Sequence, residues 1–154
     1  MEYRTNFSKE STEIVSASGD VVFKTFCKNY FFKRKYSVYD SNNNLLLVFQ
    51  KTDIFLFFMK TEILLNNLGK EFKFKDRGLT FSLIMDTLTI LFKGQVIGLL
   101  NSEFKANNKV LGHIREIPDS INNTIVLTFF EANEINKYCI ILFIIATVNY
   151  WDPH

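Results

Sequence analysis

The run from Tyr138 to Val148 is eleven residues long and only Thr147 in it is clearly polar. It shows neither apolar/polar alternation nor a polar stripe, and an element that is apolar all round has to be enclosed on every side. Ile140, Ile141, Ile144, Ile145 and Val148 are β-branched, which favours strand, and periodicity alone does not separate a buried helix from a buried strand. Length and flanks decide for helix. Asn133 is placed to cap its start, Glu134 suits the positive end of a helix dipole, and Asn149, Asp152 and Pro153 provide a stop. The expectation is a helix over residues 134–150 with Ile141, Leu142 and Ile145 almost wholly buried. The rival reading is a membrane tail anchor. Residues 138–151 would span roughly 21 Å at about 1.5 Å per residue, short of a hydrocarbon core of about 30 Å, although Tyr150 and Trp151 suit a membrane boundary.

What precedes the run reads as short strands and turns. Val21–Cys27, a segment within Tyr30–Asp40, Leu45–Gln50, Ile54–Lys60, Thr87–Phe92, Val96–Asn101, Val110–Glu116 and Thr124–Phe130 are strand-like, and Phe72, Phe74, Phe81, Leu83 and Met85 alternate with a period of two. Asparagine clusters at Asn42–Asn44, Asn66–Asn67, Asn107–Asn108 and Asn122–Asn123 separate apolar runs and read as hairpin turns, because Asn tolerates left-handed backbone. Gly19 and Asp20 mark another turn. Residues 1–20 carry the weakest pattern and are expected to be partly mobile at their start. About eleven or twelve short strands and one helix give a mainly β (α+β) fold, a closed antiparallel barrel around a buried C-terminal hydrophobic helix, in one domain over residues 1–154.

Composition supports that fold and narrows the function. The chain is 47% hydrophobic and 16% aromatic, with 22% charged residues, which excludes a disordered chain. A net charge of +2 is too small to imply nucleic acid as a partner. Residues 1–77 nevertheless hold 13 Lys/Arg against 9 Asp/Glu, so positive charge concentrates in the first half. No signal sequence opens the chain, and the two cysteines, Cys27 and Cys139, do not make a disulfide scaffold. A reduced, cytoplasmic protein, peripheral to a membrane at most, is expected.

Chemistry-bearing constellations are sparse. Asp40, Asn42 and Asn44 take the first, third and fifth positions of a calcium loop, but Leu45 stands where glycine is needed and Lys51 where the bidentate glutamate should be, so a plain turn is the better reading. His113 and His154 are the only histidines, without zinc-ligand spacing. A Cys27–His113 nucleophile has no local support. Gly69-Lys70 lacks the earlier glycine of a phosphate loop, since Leu64 sits there. Glu131 and Glu134 read as solvated or capping. No metal, no cofactor and no enzymatic activity are expected.

The stretch from Tyr36 to Leu46 resembles the strand-turn-strand unit of the tubby C-terminal-like superfamily: tyrosine Tyr36, Val38, Asp40, a turn at Ser41–Asn44, and an apolar return. It is most similar to the LURP-one-related proteins and their bacterial relatives, which also resemble phospholipid scramblases. Val96-Ile97-Gly98-Leu99 and Val110-Leu111-Gly112-His113-Ile114 are similar to the recurring valine-x-glycine-x-isoleucine strands of that family. The resemblance implies a twelve-stranded barrel threaded by the terminal helix over roughly residues 21–151. Asn43-Asn44 depart from it, where a turn glycine is common.

Lys24, Lys28, Lys33, Arg34 and Lys35 place five cations and no acid in twelve residues, interleaved with Phe26, Tyr30, Phe31, Phe32 and Tyr36. Cations beside aromatics suit an anionic membrane surface or a phosphorylated ligand. The bland alternative is a solvated outer strand face. The resemblance raises the lipid reading, since tubby proteins bind phosphoinositides through basic residues. On a strand, Lys33 and Lys35 share one face and Arg34 takes the other. Inside a closed barrel that is awkward, so a bulge is expected, or Arg34 beyond the strand's end. Two function classes stand: a non-enzymatic module that recognises anionic phospholipid or a phosphorylated ligand, and a structural or protein-interaction domain with no small-molecule ligand.

Overall fold

The computed structural model describes residues 1–8, 11–55, 58–95, 97–118 and 123–151. Its first half carries β1 (Glu2–Phe7), β2 (Ser11–Ser16), β3 (Val21–Tyr30), β4 (Lys33–Asp40), β5 (Leu45–Phe55) and β6 (Phe58–Asn66). The second half carries β7 (Lys73–Arg77), β8 (Thr80–Ile84), β9 (Thr89–Lys93), β10 (Asn101–Ala106), β11 (Lys109–Ile117), β12 (Thr124–Phe129) and the helix α1 (Ile135–Trp151).

The twelve strands form one antiparallel sheet in the order β6-β5-β4-β3-β2-β1-β12-β11-β10-β9-β8-β7. Sequence neighbours pair within β1–β6 and within β7–β12, and the pairing of β1 with β12, Tyr3 opposite Leu127, curls the sheet into a nearly closed barrel. A seam remains: no ladder joins β6 to β7 among the described residues. Residues pointing inward alternate with residues pointing out. Phe81 and Leu83, Ile90 and Phe92, and Phe104 and Ala106 are the buried members of β8, β9 and β10. Phe81, Phe92, Phe104 and Phe129 pack ring against ring at 5.3–5.6 Å around this wall, and Phe92 meets the helix residue Phe143 at 6.3 Å. Tyr36 stacks on Phe49 at 5.0 Å on the other wall.

The helix fills the barrel. Tyr138 to Ala146 and Val148 are buried without interruption, with Ile141, Leu142 and Ile145 at 0% exposure. Its start is capped as the sequence implies: Asn133 Oδ1 accepts the Ile135 amide at 3.1 Å. Thr147, the one polar residue of the run, turns its hydroxyl back to the Phe143 carbonyl at 2.6 Å and so adds no unsatisfied donor to the core. Cys139 is enclosed, and burial pushes its thiol up to about 12. No helix among the described residues is long and apolar enough to cross a membrane.

β1 and β2 lie in the weakly patterned start of the chain and close the barrel. Three expectations need correction. Ile54–Lys60 is not one strand, because β5 continues to Phe55 and β6 begins at Phe58. The strand expected over Val96–Asn101 is absent from its described part: Val96 lies outside the described residues, residues 97–99 bend, Gly98 takes φ 84°, and β10 begins only at Asn101. Asn66–Asn67 does not make a hairpin, since the strands on either side of it do not pair. The turns at Asn43 (φ 61°) and at Asn107 and Asn108 (φ 49° and 65°) do use the left-handed backbone that Asn tolerates.

Candidate functional site

Alternating strand direction sends the turns after odd-numbered strands to one end of the barrel and those after even-numbered strands to the other. The helix runs between them. At its start Lys137 and Tyr138 bond the Leu68 carbonyl in the β6–β7 link. Near its finish Thr147 lines a pocket of about 170 Å³ with Leu79, Phe81, Phe92 and Leu100. The two ends differ in chemistry. Beside the helix start the turns are built mainly from Gly19, Asp20, Asn42–Asn44, Asp86 and Asn107–Asn108, with Met1 and Phe130 as exposed apolar side chains there. Beside the helix finish they carry Phe31 (92% exposed), Phe32, Leu79, Ile97 (87% exposed) and Leu99. Large apolar side chains presented together at one end mark an interaction surface more often than a solvated one.

The five cations of the 24–35 cluster do not act as one group. Lys24 is spoken for: its ammonium lies 3.1 Å from Glu13 on β2 and over the Phe26 ring. Lys28 and Lys35 stand directly opposite each other on β3 and β4, and Lys33, opposite Tyr30, shares their outer face. None of these three makes an ion pair among the described residues, whereas like charges directly opposite on paired strands are destabilising. The apolar turn Phe31-Phe32, rings edge to face at 4.3 Å, projects beside them.

Arg34 is inside. Neither a bulge nor a strand end removes it; it follows the alternation that buries Tyr36 and Val38, and it faces Lys51 on β5 across the ladder. Its guanidinium lies 3.6 Å from the exposed carboxylate of Asp53. The inward placement of Lys51 is the residue that the sequence reading missed as a site element, although Leu47, Phe49 and Lys51 already share one parity. Lys73, Lys75 and Arg77 were missed too. They alternate with Phe74 and Asp76 on β7 and are exposed without ion pairs among the described residues, extending positive charge to the far side of the seam.

Other candidates are occupied. The Asp40 carboxylate accepts the Asn44 side chain at 3.0 Å and the amides of Asn44 and Asn42, each at 2.9 Å, and these hydrogen bonds hold its pKa below the usual carboxylate range. That is a turn with its acceptors used. The buried Glu116 beside the pocket accepts the Leu100 amide at 2.7 Å and Asn123 at 2.6 Å, so it staples two loops. Cys27 and His113 lie four strands apart, the first packed against the core and the second exposed beside Phe130 and Glu103.

No protein-family profile matches the chain. No curated protein matches it either. Among solved structures it is similar to a protein from Arabidopsis thaliana, with a TM-score of 0.40 and 11% identity over 96% of this chain and 90% of that one.

Proposed function

We propose that this protein is a non-enzymatic binding module that docks on an anionic lipid surface, cytoplasmic and peripheral to the membrane. The observation that carries the reading is the unneutralised group Lys28, Lys33 and Lys35 on one outer face next to the exposed Phe31-Phe32 turn. A like-charge pair across two strands is a local cost with no structural return, and such violations gather where a ligand is met. Each cation at an anionic surface contributes on the order of 1 kcal/mol, while apolar turn residues enter the headgroup layer and hold the end of the barrel down. The concentration of Phe31, Phe32, Leu79, Ile97 and Leu99 at a single end supports the same orientation. The tubby-like resemblance of residues 36–46 is consistent with it.

Vesicle flotation tests the reading. Vesicles containing phosphatidylserine should retain the protein at low salt and release it as ionic strength rises, since screening over about 10 Å at 0.1 M weakens exposed charge. Neutral vesicles should not retain it. Replacing Lys28, Lys33 and Lys35 together by Ser should abolish most binding with the melting temperature preserved or raised, because the exchange removes the opposed pair. Equal binding by this variant and the wild type would remove the cluster from the reading. Binding of soluble phosphorylated headgroups but not vesicles would point to a phosphorylated ligand, and binding to neither to a structural or protein-interaction domain.

A further inference from the structure

Lys51 is the one Lys or Arg buried among the described residues, at 4% exposure. It stands on the inner wall of β5, directly opposite Arg34 on β4 and Thr61 on β6. Its amine makes no hydrogen bond and no ion pair among the described residues. Among the described residues, Arg34 and Asp76 act on its charge, and Asp53 acts on Arg34. Arg34 faces it as a second cation, Asp53 is engaged with Arg34 at 3.6 Å, and Asp76 on β7 attracts it through space without closing an ion pair. A buried ammonium placed opposite a guanidinium is the wrong charge for its position. Burial, opposed by Asp76 and aided by Arg34, pushes the amine down to about 7, so much of it is neutral at physiological pH and its lone pair is free. A lysine desolvated beside another cation is the arrangement that makes an amine nucleophilic.

We propose that Lys51 is a carbamylation site whose amine takes up carbon dioxide, with the Arg34 guanidinium neutralising the carbamate that forms. The Nζ lone pair attacks the carbon of carbon dioxide, a C–N bond forms, and one C=O electron pair moves onto oxygen. A proton leaves Nζ for solvent, so amine and carbon dioxide give N-carboxylate and one released proton, with no change of oxidation state. The product inverts the charge at Lys51. A cation facing a cation becomes a carboxylate facing the planar fork that matches it. The site lies on the inner wall and uses none of the outer-face lysines. Carbon dioxide is small and uncharged, which suits a group enclosed by the barrel.

The test uses the full chain equilibrated with ¹³C-labelled bicarbonate, with carbamates trapped by a trialkyloxonium reagent and mapped by peptide mass spectrometry. Lys51 should carry the trapped label well above Lys33, Lys35 and the amino terminus, and labelling at fixed dissolved carbon dioxide should rise as pH passes upward through about 7. Arg34→Gln should reduce the label by about tenfold, the loss expected for one charge-assisted hydrogen bond. At fixed pH and ionic strength, carbon dioxide should raise the melting temperature of the wild type and leave that of Lys51→Met unmoved. Absence of label at Lys51, or label no greater there than at Lys33 and Lys35, would overturn the assignment. Undiminished labelling in Arg34→Gln would overturn the role of Arg34.

Discussion

The hydroxyl of Tyr138 donates a 3.0 Å hydrogen bond to the carbonyl of Leu68, across 70 residues of sequence. Leu68 lies in the link between β6 and β7, where the sheet has no ladder, so the first turn of the helix holds together what the strands leave open. The Lys137 ammonium reaches the same oxygen at 3.2 Å. Tyr138→Phe should therefore cost about 1 kcal/mol in denaturant unfolding, because the acceptor keeps its second donor. Removing both donors, with Lys137→Met added, should cost more than the two single changes together, since the buried carbonyl is then left bare. Strict additivity would show that the two bonds act independently.

Ile141→Lys places an ammonium where exposure is 0% and no polar group waits for it. The expected loss is several kcal/mol, which is much of the stability of a domain this size. Calorimetry should find the variant unfolded or melting far below the wild type. An unchanged melting temperature would contradict a helix enclosed by strands.

Lys51 gives stability a pH dependence of defined sign. Its amine titrates at about 7 in the folded protein against 10.5 for a free side chain. Between those values the unfolded chain holds a proton that the folded chain lacks, so stability rises with pH across that interval and is flat with respect to this group below it. The slope is at most about 1.4 kcal/mol per pH unit. Lys51→Met should be the more stable protein at pH 6.5, and its advantage should shrink by pH 9. Parallel pH profiles for the two proteins would deny that Lys51 is desolvated.

Gly112→Ala should be destabilising by roughly 1–3 kcal/mol through overpacking. A Cβ there would run into the Thr128 carbonyl and the Phe129 side chain on β12, and no flexible side-chain end is available to yield on the backbone side. The glycine of the valine-x-glycine-x-isoleucine stretch is thus set by the approach of a neighbouring strand; its φ is not in the left-handed region. Equilibrium unfolding of the variant, with m compared to the wild type, checks this.

Much of this architecture is legible in the chain because its decisive signals are local. The absence of any polar face from Tyr138 to Val148 leaves only enclosure, and Asn43, Asn107 and Asn108 announce their turns through the backbone they accept. β1 and β2 escape notice for the opposite reason. Tyr3, Thr5, Phe7 and Ile14 are sparse among Ser, Thr and Glu, and what fixes them is distant: Thr5 receives the Ile125 amide from 120 residues away. The basic cluster was readable as composition and not as geometry. Parity separated Arg34 from Lys33 and Lys35, but only the register shows that Arg34 meets Lys51 inside the wall and that Lys28 meets Lys35 outside it. The neutralisation of Lys24 by Glu13 depends on the pairing of β2 with β3, which no local pattern encodes.

The strand order has a consequence for how the chain is made. β1–β6 and β7–β12 are two meanders of neighbouring strands, and the one long-range ladder is β1 with β12. On the ribosome both meanders appear before the helix that covers their apolar faces, and neither can be filled until residues 135–151 have emerged. Closing such a non-local contact is slow compared with forming hairpins. A nascent chain of this design therefore carries uncovered Phe and Ile through most of its translation, an interval in which such surface is open to aggregation.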